Sequence, residues 1–196
     1  MKKWIVGFGL ISVLLTGCHQ QEIDENAVLS FYDEFFTQVH ELFAYHMLDD
    51  EGYFNKRYHT DESIRLLLEE FMTDEGMINL LNELYVENDG KYFYKDQFQS
   101  FLRESEASYY EVTRKTVFNP GVRMIVSEDL HIHESATGEI VIVADNVPVQ
   151  FYSEDSSYGQ SQFGKLGYPP IDHVSLTVSI VKEKENYRIN NVEVQS

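Results

Sequence analysis

The sequence is poor in cysteine and in basic residues. Cys18 is the only cysteine, so no disulfide can form within one molecule and stability must come from packing. Only 15 residues are Lys or Arg, against 33 Asp or Glu, and the formal net charge is −18. A chain this acidic has no basic stripe to neutralise phosphates, which argues against nucleic acid as a partner. The same charge argues against electrostatic adhesion to anionic lipid.

Long apolar runs and catalytic motifs are also missing. The apolar run at residues 4–15 covers 12 residues, whereas a helix needs about 20 to cross a bilayer. There is no P-loop, no Gly-x-Gly-x-x-Gly and no Gly-x-Ser-x-Gly. His40-Glu41 lacks a second histidine four residues after the first, and the calcium-loop-like stretch 87–90 has Tyr85 where an acid is needed. No motif therefore indicates an enzyme.

The N-terminal segment has the layout of a secretory signal peptide. Lys2 and Lys3 form a cationic head, the apolar run follows, and Leu15-Thr16-Gly17-Cys18 closes the segment. These four residues resemble the lipobox of bacterial lipoproteins, in which the cysteine is acylated and becomes the first mature residue. The resemblance implies a signal peptide at 1–17, lipidation of Cys18, a polar tether at 18–25 and one domain at 26–196. The location would be extracytoplasmic, anchored to the membrane by lipid, and two or more acyl chains would be needed to hold it there.

The first half of the domain shows helical periodicity. Apolar residues recur at three- and four-residue steps over 26–48, which predicts a helix capped by Asp24 or Asn26. A second helix is predicted after Thr60 and a third from Thr73 or Asp74, the latter stopped by the 87–90 turn. Acidic residues in the first turn of the second helix would stabilise it, because they lie near the positive end of the helix dipole.

The second half favours strands. Alternating apolar residues predict strands around 110–116 and 122–126 and a final pair joined by a hairpin loop at 182–186. A long apolar run with Val, Ile and Phe predicts a further strand within 139–152. Pro120-Gly121 marks a turn. Helices followed by several antiparallel strands give an α+β fold, with N-terminal helices and then a curved antiparallel sheet.

The segment 153–171 is the best candidate for binding. It is long and polar, it carries Tyr158, Phe163 and Tyr168 among glycines, and it ends in Pro169-Pro170. Long loops in compact domains are usually functional or disordered. A mixture of Tyr, Ser and Gly is also typical of recognition surfaces. The alternative is a flexible hairpin tip whose aromatic residues pin it to the sheet.

His131 and His133 are the only candidates for a metal site, and they are weak ones. Their spacing on a strand would point both rings to one face, close to Glu128, Asp129 and Glu134. A third ligand at a convincing spacing is absent, and exposed histidine pairs on acidic strands are common. We therefore expect no metal and no other cofactor.

The order of elements from about 26 to 194, closed by the strand at 186–192, looks like the NTF2-like, cystatin-related lipoproteins of Gram-positive bacteria (Firmicutes). In that superfamily a curved sheet wraps around a helix and leaves a pocket. The stretches 52–54 and 98–102 are also similar to secreted Bacillus-type inhibitors of peptidoglycan endopeptidases. That second resemblance implies a loop that plugs a hydrolase cleft, with 153–171 as the candidate.

Three functions remain open at this stage. The first is a non-catalytic binding lipoprotein of the cell envelope, which binds a protein or small ligand through the sheet face and the 153–171 loop, with inhibition of a cell-wall hydrolase as its specific form. The second is an enzyme in an NTF2-like pocket, with His131, His133 or His173 as general base. The third is a structural role in envelope assembly, which predicts a large apolar surface patch.

Overall fold

The computed structural model describes residues 23–103, 107–184 and 186–196. The expected signal peptide, Cys18 and most of the tether lie outside these residues. Helices are α1 Glu25–Val39, α2 Asp61–Leu68, α3 Asp74–Leu84, α4 Asp96–Leu102, α5 Tyr109–Thr113 and α6 Ser157–Gln162. Strands are β1 His46–Leu48, β2 Tyr53–Asn55, β3 Tyr85–Asn88, β4 Lys91–Tyr94, β5 His131–Glu134, β6 Ile140–Gln150, β7 Ile171–Glu183 and β8 Asn186–Gln195.

The first helix is present but shorter than the sequence predicts. The Asp24 carboxylate accepts a hydrogen bond from the Ala27 N–H and caps α1. The helix ends at Val39 and continues as a 3₁₀ turn, His40–Phe43. The prediction of helix up to 48 is wrong, because Tyr45 adopts a φ of +48° and turns the chain into β1.

The second and third helices begin where the sequence predicts. Thr60 and Ser63 form a capping box at the start of α2, and the Thr73 hydroxyl accepts a hydrogen bond from the Gly76 N–H at the start of α3. However, α3 ends at Leu84, before the 87–90 stretch, because the chain becomes extended at Tyr85 and enters β3. The short hairpins β1–β2 and β3–β4 were not expected from the sequence.

The predicted strands at 110–116 and 122–126 are wrong. The first stretch forms α5, because Ser108 and Glu111 make a capping box that fixes a helical turn. The second begins as the 3₁₀ turn Pro120–Arg123, where the Asn119 side chain accepts a hydrogen bond from the Gly121 N–H. In both places, local hydrogen bonds outweigh the apparent alternation of apolar residues.

The fold class is confirmed as α+β. The main sheet is antiparallel with the order β5-β6-β7-β8, and a register shift between Ala144 and Val147 marks an irregularity in β6. One face of the sheet joins the helices in a single apolar cluster, to which the sheet contributes side chains that are 0–1% exposed: Ile142, Leu176, Val178 and Ile180. This face is therefore filled by packing.

The helix α1 belongs to this apolar cluster through five buried side chains: Val28, Tyr32, Phe35, Phe36 and Val39. Near the middle of α1, the Phe31 ring lies 5.9 Å from the Tyr187 ring, which belongs to β8 next to the β7–β8 turn. The hydroxyl of the neighbouring residue, Tyr32, donates to the Val122 carbonyl. Past the end of α1, Phe43 lies 5.8 Å from Tyr109, and Tyr109 lies 6.2 Å from Tyr168 in the 153–171 segment. The helix and the 3₁₀ turn after it thus connect β8 to the aromatic residues near the 153–171 segment.

Candidate binding surface

The 153–171 segment is more ordered than an irregular loop. It contains α6 and the 3₁₀ turn Gly164–Leu166. The Ser156 hydroxyl accepts a hydrogen bond from the Gly159 N–H at 3.0 Å and caps α6, and Gly167 closes the second turn with a φ of +90°. The expectation of a long loop without secondary structure is therefore wrong, because serine and glycine here supply cap and turn positions.

Buried aromatic side chains attach this segment to the core. Tyr168 is 2% exposed, and its ring lies 4.5 Å from that of Phe151 and 5.2 Å from that of Tyr110. The Tyr168 hydroxyl is 2.9 Å from the Thr113 hydroxyl. Burial raises the pKa of Tyr168 above its ordinary value, so the ring stays neutral. As a residue for contacting a partner, Tyr168 is a wrong prediction, because its side chain belongs to the core.

Phe163 has a similar supporting role. Its half-buried ring lies 5.6 Å from the Phe151 ring and 5.9 Å from the Tyr168 ring. The Tyr152 hydroxyl donates to the Tyr168 carbonyl at 3.1 Å, and α6 packs so closely that a Cβ at Gly159 would lie 2.3 Å from the Tyr152 Cβ. The segment is thus fixed to the sheet, as the pinned-tip alternative expected for these aromatics.

Tyr158 alone among the three predicted binding residues faces outward. It is 76% exposed. Leu166 and Ile171 are also partly exposed along the same segment. The charged side chains of Glu154, Asp155 and Lys165 are exposed around them. An aromatic ring held at the surface by a rigid support is a ready contact group, because it buries area on binding and loses little side-chain entropy.

A hydrogen-bonded cluster at the base of the segment joins distant parts of the chain. Arg114 donates to the Tyr110 hydroxyl at 3.2 Å, and that hydroxyl donates to Asp172 Oδ2 at 3.0 Å. The Ser196 hydroxyl donates to the same oxygen. Sequence reasoning missed this cluster, because Tyr110 and Asp172 are 62 residues apart and nothing in their local patterns connects them.

The histidines proposed for metal binding or catalysis lie on the outer face of the sheet. His131, His133 and His173 are all exposed, while their neighbours Ile132 and Val174 point towards the core. In the part of the chain that the structure describes, no three His, Cys, Asp or Glu residues are grouped to hold a metal ion. The hypothesis that one of these rings is a general base inside a pocket is wrong for these residues, because alternation along β5 and β7 turns them to solvent.

Two of the clefts that the described residues form lie away from the 153–171 segment. One, of about 550 Å³, lies between α2, α3 and the β7–β8 hairpin, and its two arginines are already paired. Arg65 contacts Asp61 at 2.7 Å and Asp74 at 2.8 Å, and Arg188 contacts Glu183 at 3.3 Å. The other, of about 390 Å³, lies between α4 and the β3–β4 hairpin. Neither cleft contains a residue that the sequence singled out as a candidate.

The comparisons with known proteins give no relative. No family model, no curated protein and no solved structure matches the chain. Among the described residues, no helix is long and apolar enough to cross a bilayer.

Proposed function

We propose that this protein is a non-catalytic binding lipoprotein of the bacterial cell envelope. In this proposal, acylated Cys18 anchors the chain to the outer side of the cytoplasmic membrane. The domain is a member of the NTF2-like group, and it binds an envelope protein through the exposed side of the 153–171 segment around Tyr158. Nucleic acid is not a partner, because the chain carries a net charge of −18.

The observation that carries this proposal is the contrast between the two sides of the segment. On the inner side, Phe163 and Tyr168 pack against Phe151. On the outer side, Tyr158 is 76% exposed. A contact residue on a rigid support loses less conformational entropy on binding than one on a mobile loop, which favours affinity.

The specific form of the proposal is inhibition of a cell-wall hydrolase. A protruding segment with an outward tyrosine suits a concave surface such as a hydrolase cleft, since hot-spot residues fill pockets and are enriched in tyrosine. The two stretches 52–54 and 98–102, which resemble endopeptidase inhibitors, do not supply the contact surface. Tyr53 lies in β2, and Gln99 hydrogen-bonds to its backbone.

The test compares two exposed apolar residues on different elements. The mature protein in detergent is added to cell walls that are being digested by wall hydrolases, and inhibition and complex formation are measured. We expect Tyr158→Ala to weaken inhibition by about 30-fold, which corresponds to a hot spot of about 2 kcal/mol. Leu66→Ala, at a residue 77% exposed on α2, is the matched control and should change nothing.

Two results would contradict this proposal in different ways. Absence of both inhibition and complex formation with every hydrolase tested removes the inhibitor form. Inhibition that Tyr158→Ala and Leu66→Ala leave equally strong removes the 153–171 segment as the binding surface.

A further inference from the structure

We propose that two copies of this protein associate through the open edge of β1, which pairs antiparallel with β1 of the second copy. The inference does not depend on the proposed function, because β1 shares no residue with the 153–171 segment. It starts from the short hairpin that β1 forms with β2, whose two outer edges differ.

Backbone hydrogen bonds at both ends of this hairpin show which groups of β1 face β2. The Lys56 N–H donates to the Tyr45 carbonyl at 2.9 Å, and the Asp49 N–H donates across the turn at 3.2 Å. Hydrogen-bonded and non-hydrogen-bonded pairs alternate along an antiparallel ladder. The N–H and C=O groups of His46 and Leu48 therefore point away from β2, to the outer edge of β1.

The rest of the chain closes the outer edge of β2 and leaves that of β1 open. The Gln99 side chain accepts a hydrogen bond from the Tyr53 N–H at 2.7 Å and donates to the Tyr53 carbonyl at 2.8 Å, so it takes the place of a neighbouring strand beside β2. At the β1 edge, no residue within the described ranges bonds to the outward backbone groups of His46 or Leu48. These donors and acceptors are available to another strand.

The side chains of β1 also favour contact with another strand. Proteins ordinarily protect an exposed edge strand with lysine, proline or a bulge, and β1 has none of these. Met47 is 45% exposed and Leu48 is 54% exposed, and Tyr45, just before the strand, is 40% exposed. By contrast, the exposed side chains of the edge strand β5 are all polar. The open edge of β1 is therefore both unpaired and apolar.

This edge is complementary to itself. In an antiparallel pair with a two-fold axis through Met47, His46 lies opposite Leu48 of the second copy, and each such pair exchanges both of its N–H···O bonds. No outward donor or acceptor of these residues then remains unpaired on either strand. The two Met47 side chains form the non-hydrogen-bonded pair at the axis, where side chains approach most closely.

The charges beside β1 fit the same antiparallel arrangement. At the start of the strand, the Arg57 guanidinium stacks on the Tyr45 ring at 3.6 Å. Past its end, Asp50 and Glu51 are exposed in the turn. The two-fold axis places the start of one β1 beside the end of the other, so Arg57 of each copy faces the acidic turn of the other, which is favourable. A parallel pair would instead bring the two acidic turns together.

We expect the dimer to be weak. A strand of three residues covers much less than the roughly 800 Å² per partner of a standard interface. Two chains with a net charge of −18 also repel each other. At physiological ionic strength the Debye length is about 8 Å, so salt screens this long-range repulsion more than the close pairs beside the axis. Association should therefore appear at micromolar concentrations or above.

Charge at the two-fold axis tests the proposal, because Met47 meets its own copy there. Sedimentation velocity of the protein in detergent measures monomer and dimer over a range of concentrations. Met47→Lys and Met47→Asp each place two like charges opposite one another, so each variant alone should dimerise about tenfold more weakly than the natural protein. An equimolar mixture of the two variants should recover dimerisation. Ile78→Lys, at a residue 51% exposed on α3, is the matched control and should dimerise like the natural protein.

A second variant leaves β1 itself unchanged. Asp50→Lys, in the exposed turn, places a positive charge beside Arg57 of the other copy and should weaken dimerisation by about threefold. This variant keeps the proposal testable if a charge at Met47 disturbs the hairpin.

Three results would overturn the proposal. The first is a natural protein that stays monomeric up to about 1 mM. The second is dimerisation that the Met47 and Asp50 variants leave unchanged, because association would then use another surface. The third is a mixture of correctly folded Met47→Lys and Met47→Asp proteins that does not recover dimerisation, because the two Met47 side chains would then not meet at an axis.

Discussion

At the scale of single residues, burial changes the protonation of His40 in a way that the sequence does not reveal. The sequence places it beside Glu41 in an incomplete metal-site pattern. In the structure its ring lies 6.5 Å from the Phe118 ring, and its Nε2 atom is buried with no hydrogen-bond partner among the described residues. Burial first, and the charge of Arg123 second, lower the pKa of His40 to about 4.

The lowered pKa of His40 predicts a loss of stability in mild acid. The unfolded chain binds a proton at His40 near pH 6.5, whereas the folded chain does so only near pH 4. Unfolding therefore takes up protons between these values, and the free energy of unfolding decreases as the pH falls. The contribution of His40 should decrease by roughly 2 kcal/mol between pH 7 and pH 5.

Urea unfolding at pH 7 and pH 5 measures this effect. The His40→Gln variant should lose less stability over that interval than the natural chain. His131→Gln, which changes an exposed ring on β5, is the control and should follow the natural chain. Equal pH dependence in all three proteins would contradict the assignment of this proton uptake to His40.

At the scale of secondary-structure elements, close packing decides what local preference leaves open. Gly76 lies in the first turn of α3, where alanine would ordinarily favour a helix by about 1 kcal/mol. A Cβ at this position would lie 2.6 Å from the Ile189 carbonyl oxygen and 3.0 Å from that of Asn190. The glycine therefore lets α3 approach the backbone of β8.

Gly76→Ala should destabilise the protein despite its better helix propensity. The added methyl group meets backbone atoms that cannot rotate away, so α3 and β8 must separate, at a cost of about 1–3 kcal/mol in the free energy of unfolding. Chemical denaturation measures this cost. Ile78→Ala, at an exposed position on the same helix, should change stability by no more than about 0.5 kcal/mol. A Gly76→Ala protein more stable than the natural one would show that the two elements separate without cost.

Elements also differ in how well their local sequence defines them. The helices α2 and α3 follow their caps at Thr60 and Thr73, β6 follows a long apolar run, and β7 and β8 follow alternating apolar residues, so the sequence predicts all five. The prediction of a strand at 110–116 was wrong because a period of two also fits a short amphipathic helix. The capping box at Ser108 makes this stretch helical. The hairpins β1–β2 and β3–β4 were not predicted, because their strands are only three or four residues long and show too little periodicity.

At the scale of the whole molecule, one core joins the helices to the sheet. Buried side chains from every helix except α6 belong to the same apolar cluster as those of the main sheet: Phe35, Leu68, Leu84, Phe98 and Val112 on the helices, and Ile142 and Val178 on the sheet. Phe54 and Phe93 are also buried, and they pack on each other at 5.9 Å outside this cluster. The packing of the helices and that of the main sheet should therefore be lost together.

A shared core predicts one cooperative unfolding transition. Near-ultraviolet circular dichroism, which reports the packing of the tyrosine rings, and far-ultraviolet circular dichroism, which reports the backbone, should give the same midpoint in urea. The Val178→Ala variant should move both midpoints together, since Val178 is fully buried in the sheet. Two separated transitions would show that helices and sheet are held by different packing.

The sequence by itself determined the α+β class, the main helix starts and the long strands, because caps and periodicity act over a few neighbouring residues. It also marked the 153–171 segment and its three aromatic residues as candidates. Only the tertiary structure decided that Phe163 and Tyr168 support the segment while Tyr158 faces solvent, and that Phe31 of α1 packs on Tyr187 of β8. These facts depend on contacts such as Phe151 with Tyr168 and Phe31 with Tyr187, which join residues far apart in the chain. Such contacts leave no trace in local spacing, because packing is selected by the shape of the whole core.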